Sequence, residues 1–170
     1  EALKAITVMN IVELVILIGV GVLGVFQVEP VNLEPFAPMG LGPLLPTMAF
    51  IYISYVGFDL ITVAAEEIID PAKNIPRAIL ITLGVGVGIY VLLLYVMMGV
   101  VNYTELAQTS TPFIFVADVL FGPWGRWAGV LATIMASLSA FSVTLGASSR
   151  VLFALGRDGY VPEVLARLHP

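Results

Sequence analysis

Asp59 stands two residues after Gly57 and five after Ser54, inside the apolar stretch 44–65 of this 170-residue chain. An ionisable side chain at membrane depth is expensive, and it marks a functional site by default. Gly57 and Ser54 weaken a helix at the same place. A broken helix exposes main-chain carbonyls and polar groups at the bilayer midplane, where they can bind a solute in transit. Glu13 is a second such carboxyl group: it lies nine residues beyond Lys4, about 13–14 Å along a helix axis. With no basic partner inside any apolar stretch, Glu13 is a candidate to carry a coupling proton. The alternative for both residues is a structural carboxyl hydrogen-bonded to a neighbouring helix.

Catalytic chemistry is poorly served. There is no cysteine, and the one histidine, His169, is the penultimate residue, so neither a Ser–His–Asp triad nor a His/Cys metal site can be assembled in the apolar spans. What remains is an intramembrane aspartyl hydrolase in which Asp59 and Glu13 share a proton. No cofactor is expected.

The elements that must position these groups follow from composition. The chain is 59% hydrophobic and 11% charged, with a mean hydropathy of +1.04, whereas soluble domains carry about 25% charged residues. Four stretches, 5–28, 44–65, 78–101 and 127–154, reach the roughly 20 apolar residues that a transmembrane helix needs. They are too long and uninterrupted for barrel strands. The expectation is an all-α polytopic membrane protein. If the four spans alternate, Lys4, Lys73, Arg77, Arg150, Arg157 and Arg167 fall on one side and Arg126 on the other. The positive-inside rule then puts both chain ends, including the segment 155–170, in the cytoplasm, and the cell membrane is the expected location. No basic patch for nucleic acid is present. The chain starts at Glu1, and we read it as an internal portion of a longer protein whose other helices would be its partners.

Between the spans, Pro30, Pro35, Pro38, Pro43 and Pro46 make the first outer loop irregular, with Pro46 suited to the first turn of the next helix. The acidic and basic residues Glu66, Glu67, Asp70, Lys73 and Arg77 read as a solvated loop or a conformational latch. Pro71 disfavours helix at Asp70, and Pro76 suits the first turn of the third span. Gly84 and Gly88 form a small-xxx-small pattern. Ser110 or Thr111 followed by Pro112 reads as the start of a short outer-loop helix, about 112–121, that ends at Gly122-Pro123 and lies along the surface or plugs a vestibule. Trp124 and Trp127 suit an interfacial belt. Thr133, Ser137, Ala140, Thr144 and Ser148 share one helical face, for packing or for lining a path. Tyr52, Tyr55, Tyr90 and Tyr95 read as core or interface residues.

Three motifs carry a resemblance. Tyr55-Val56-Gly57-Phe58-Asp59 with Ala64-Ala65-Glu66-Glu67, then Asp70-Pro71-Ala72-Lys73-Asn74-Ile75-Pro76-Arg77, and finally Ser149-Arg150-Val151-Leu152-Phe153-Ala154 with Arg157-Asp158-Gly159-Tyr160-Val161-Pro162 are together similar to the amino acid-polyamine-organocation (APC) permeases. The resemblance implies a leucine-transporter-type inverted-repeat core, with this chain covering about helices 5–8 and helix 6 broken near 54–57. It also implies alternating-access transport of amino acids or related amines, coupled to H⁺ or Na⁺ or run as exchange. The substrate's amino group would be held by the main chain of Ile53, Ser54, Tyr55, Val56 and Gly57, with Phe141 as a pocket aromatic and Asp59 at a position acidic in several members. The chain departs from the pattern at two places: Ile53 replaces a gating aromatic, and Glu13 falls where some members carry a lysine that stands in for sodium. A non-transporting membrane scaffold or accessory subunit remains the other class of reading.

Overall fold

In a bilayer no water is available to satisfy backbone N–H and C=O groups, so runs of Leu, Ile and Val close their own hydrogen bonds as helices. A computed structural model of the chain describes the backbone of residues 2–37, 39–55 and 57–162, and the side chains of all of these except 2, 3, 58, 59, 64, 66 and 67. The elements are α1 (Ala2–Gly24), α2 (Leu44–Ile53), α3 (Pro71–Val100), α4 (Tyr103–Leu106) and α5 (Pro112–Arg157). Short 3-10 turns follow α1, and a longer 3-10 segment, Phe58–Glu67, lies between α2 and α3. Three helical stretches, Lys4–Gln27, Pro71–Val100 and Pro112–Arg157, are long and apolar enough to cross a membrane. The stretch expected to supply a fourth is built in pieces: ten residues of α-helix, a turn at 54–57, then the 3-10 segment.

The three long elements pack with a definite polarity. A Cβ on Gly21 would meet Leu92, one on Gly24 would meet Val96, and one on Gly99 would meet Val28, so α1 and α3 run side by side in the same direction. Ser139 donates a hydrogen bond to Asn10 while Gly24 faces Leu120, so the length of α5 beyond its bend runs antiparallel to α1. This register carries Lys4, Lys73, Arg77, Arg150 and Arg157 towards one end of the three helices and Arg126 to the other.

The helical run α5 is two arms. Gly122, at φ 62° and ψ −147°, occupies a region open essentially only to glycine, and Pro123 starts the second arm. The arms fold against each other: Gly129 faces Ile114 and Ala117, Gly125 lies under Ala117, and Arg126 pairs with Asp118 at 2.6 Å. Val96, Val116 and Ala117 are fully buried, so the core is concentrated where the first arm meets α1 and α3. Elsewhere the helices carry extensive exposed apolar surface, with Val15, Leu80, Ile81 and Val91 all more than half exposed.

Two local expectations change. Helix α3 begins at Pro71, leaving Pro76 inside it rather than in its first turn. The physical reason is that Pro71 takes the first helical position while the Asp70 carbonyl accepts from Lys73 and Asn74, and the Asn74 side chain donates to Ile69, which nucleates a turn before Pro76 is reached. By contrast, Pro46 is the third residue of α2 and sits in its first turn, as expected. Gly84 and Gly88 have open space where a side chain would stand, so close helix approach is made instead by Gly21, Gly24, Gly99, Gly125 and Gly129.

Candidate functional site

The turn at 54–57 exists because the α2 ladder stops. Ser54 and Tyr55 donate to Ile51 and Tyr52 in tight i→i−3 fashion, and Gly57 then adopts φ 113°, which a residue with a Cβ reaches only under strain. Val56 lies outside the described residues. The chain resumes as the 3-10 segment, starting with Leu60 donating to the Gly57 carbonyl. Ten residues is long for such a helix, whose runs seldom exceed three or four.

Two contacts anchor this turn to α3. The Tyr90 hydroxyl donates to the Ser54 carbonyl at 3.4 Å, and the Tyr90 and Tyr55 rings meet edge to face, with centroids 5.4 Å apart and planes at 79°. Nothing in the sequence spacing joins position 90 to positions 54 and 55, and Tyr90 is the residue that sequence reasoning left among general core positions.

Beyond the turn, the 3-10 segment faces α5 across a groove of about 400 Å³ lined by Leu60, Val63, Thr144, Ala147, Ser148 and Leu152, with Val151. Phe141, one turn before Thr144, is 67% exposed. The structure therefore brings the segment carrying Asp59 alongside the helix carrying Phe141, although the Asp59 side chain itself lies outside the described ones, as do those of Glu66 and Glu67. Ile53 and Ser54 are exposed, and Tyr55 and Gly57 are half-buried.

Glu13 belongs to a different part of the molecule. It is half-buried on α1, on the stripe Asn10, Glu13, Leu17, Val20 and Gly24, whose members include the Ser139 partner Asn10 and the close-approach Gly24. On α5 the buried Ser139 meets this stripe at Asn10, whereas Gly125 and Gly129 face the first arm of α5. The hydroxyl face picked out in the sequence points elsewhere. Thr133, Ser137, Thr144 and Ser148 are exposed, and Thr133, Ser137 and Thr144 return their hydroxyls to carbonyls four residues back in their own helix at 2.8–2.9 Å. Gly125 and Gly129 themselves form a small-xxx-small pair, a signal that could have identified the packed face. Among the described residues no group of three His, Asp or Glu side chains is placed to hold a metal ion.

Three long apolar helices packed through glycines define an integral membrane protein of the polytopic α-helical class. Comparison with known proteins then fixes the family: the "Amino acid permease" family model matches residues 2–170, and the chain belongs to that family, one of permeases rather than enzymes. It is 33% identical over 157 residues to the branched-chain amino acid permease BcaP of Bacillus subtilis, covering 92% of this chain and 34% of that protein. It is 30% identical over 167 residues to the chloroplastic cationic amino acid transporter 9 of Arabidopsis thaliana, covering 96% of this chain and 29% of the relative. The methylthioribose transporter of Bacillus subtilis is 31% identical over 162 residues, covering 94% and 33%. The chain thus spans about a third of the length of the curated relatives it matches.

Proposed function

We propose that this chain is part of a secondary transporter that moves amino acids or related amines across the cell membrane by alternating access, with the turn at 54–57 as part of the substrate site. The observation that carries this reading is the interruption at Gly57, φ 113°, between α2 and the 3-10 segment. An interrupted helix leaves carbonyl groups outside any ladder, and carbonyls at such a break hold a cation or an ammonium group. Ile53, Ser54, Tyr55, Val56 and Gly57 supply that main chain, and Phe141 supplies an aromatic wall from α5. The named substrates of the relatives, branched-chain and cationic amino acids among them, share the α-ammonium and carboxylate, and differ in the side chain that a wall would sort.

The basic residues gathered towards one end of α1, α3 and α5 support a cytoplasmic position for that end by the positive-inside rule. We assign proton coupling to Asp59 and Glu13, because a carboxyl that gains and loses a proton changes charge by one inside a low-dielectric region. The remaining helices of the longer protein would complete the pocket and cover the exposed apolar faces.

The test is uptake of a radiolabelled amino acid panel by the full-length protein in proteoliposomes, with and without an inward proton gradient, for wild type, Gly57→Leu and Asp59→Asn. Accumulation that depends on the gradient and is lost in both variants is the expected result. Uptake unchanged in both variants would remove the site from residues 53–59, and absence of any amino acid uptake would remove the function.

A further inference from the structure

We infer that Tyr90 is a positioning residue for the substrate's ammonium group, acting through the Ser54 carbonyl; the inference rests on the permease reading above and adds to it a residue of α3. The side chain makes two contacts with the interrupted segment: its hydroxyl donates to the Ser54 carbonyl at 3.4 Å, and its ring meets that of Tyr55 edge to face at 5.4 Å. Both partners lie inside the run 53–57, and both are reached across more than thirty residues of sequence.

The division of labour between the two contacts follows from their chemistry. The edge-to-face ring pair fixes where the phenol sits, since such pairs favour one mutual orientation over a range of others. The hydroxyl then fixes the direction of one carbonyl. A carbonyl oxygen has two lone pairs, so donation from Tyr90 occupies one and leaves the other for an ammonium N–H. At 3.4 Å the contact is longer than a full-strength O–H···O bond, so it is a weak bond that orients the carbonyl without drawing it away from a charged competitor. Without that hydroxyl, the peptide plane at Ser54 has a glycine with φ 113° three residues on and gains freedom to rotate away from the site. The ring contact alone would persist, which separates a structural role from a positioning one.

The experiment measures initial uptake rates against amino acid concentration for the full-length protein in proteoliposomes, comparing wild type, Tyr90→Phe, Tyr90→Leu and Gly57→Leu, alongside the melting temperature of each in detergent. Tyr90→Phe keeps the ring and removes the donor. The expected result is a KM raised about two- to threefold, the low end of what one neutral hydrogen bond contributes, with Vmax unchanged and an unchanged melting temperature. Tyr90→Leu, which removes both contacts, should raise KM further and lower the melting temperature. A Tyr90→Phe protein with unchanged KM overturns the assignment, whether or not its Vmax or melting temperature falls. If wild type transports, Gly57→Leu does not, and Tyr90→Phe keeps its KM, only the Tyr90 assignment fails. No uptake by wild type overturns the permease reading and this inference together.

Discussion

Gly99 is a position at which a single methyl group should do measurable damage. An alanine Cβ there would stand 2.5, 3.0 and 3.1 Å from Cγ1, Cγ2 and Cβ of Val28. Val28 cannot rotate out of the way, because all three of its branching atoms are involved and a β-branched side chain is stiff at χ1. The helix or the chain after α1 must therefore shift. The same residue's carbonyl accepts from the Glu29 N–H at 2.9 Å and the Asn32 side-chain amide at 3.0 Å, so a shift also weakens the bonds that pin this turn to the end of α3. Overpacking costs about 1–3 kcal/mol, and weakening two hydrogen bonds by the worth of one adds about 0.5–1.5 kcal/mol. Gly88→Ala is the matched control: it lies in the same helix with open space where its Cβ would stand, so the gain from alanine's helix preference cancels in the comparison. We expect Gly99→Ala to be about 1.5–4.5 kcal/mol less stable than Gly88→Ala, measured by reversible denaturant titration of the full-length protein in mixed micelles. Val28→Ala combined with Gly99→Ala should recover most of the loss, since two of the three clashing atoms disappear. Equal stability of Gly99→Ala and Gly88→Ala would refute the packing of α1 against α3 described above.

Two further predictions rest on separate features. Gly122→Ala forces a side chain into φ 62°, ψ −147°, which should cost about 1–3 kcal/mol in the same titration even though nothing crowds the Cβ; no loss would mean that the two arms of α5 do not fold back there. Glu13→Gln should flatten the dependence of uptake on external pH while leaving substrate KM within about twofold, since Glu13 sits on the α1 face towards α5 and not at the 54–57 turn; a variant that retains the full pH response would take Glu13 out of proton coupling.

The parts of this molecule legible in the sequence are those governed by local rules. Lengths of uninterrupted apolar residues specify membrane-crossing helices because the bilayer offers the backbone no other partner, and α1, α3 and α5 follow. The bend of α5 was legible as well: Gly122 takes a positive φ, and Pro112 and Pro123 begin the arms on either side of it. Resemblance in the segments 55–79 and 149–162 was enough to point to the permease family. Local rules failed at Pro76, where the Asp70 carbonyl, accepting from Lys73 and Asn74, and the Asn74 side chain, donating to Ile69, start the helix at Pro71 and leave Pro76 inside it.

What no local rule contains is which face of a helix meets which neighbour. Gly84 and Gly88 have the same spacing as Gly125 and Gly129, yet only the second pair is packed, because the fold-back at Gly122 lays Ile114 and Ala117 over it. The hydroxyl face of α5 was visible at helical spacing, but the face that buries itself against α1 is the neighbouring one with Ala132 and Ser139. Tyr90 is indistinguishable in sequence from Tyr95; α3 alone rotates the first onto Ser54 and Tyr55. Composition and periodicity determined that this chain lives in a membrane as helices, and put a glycine beside an aspartate where the second apolar run could break. Only the tertiary arrangement decided what faces that break, because contacts across 36 residues depend on rotation and register between helices, and bilayer solvation, being the same all around an apolar helix, specifies neither.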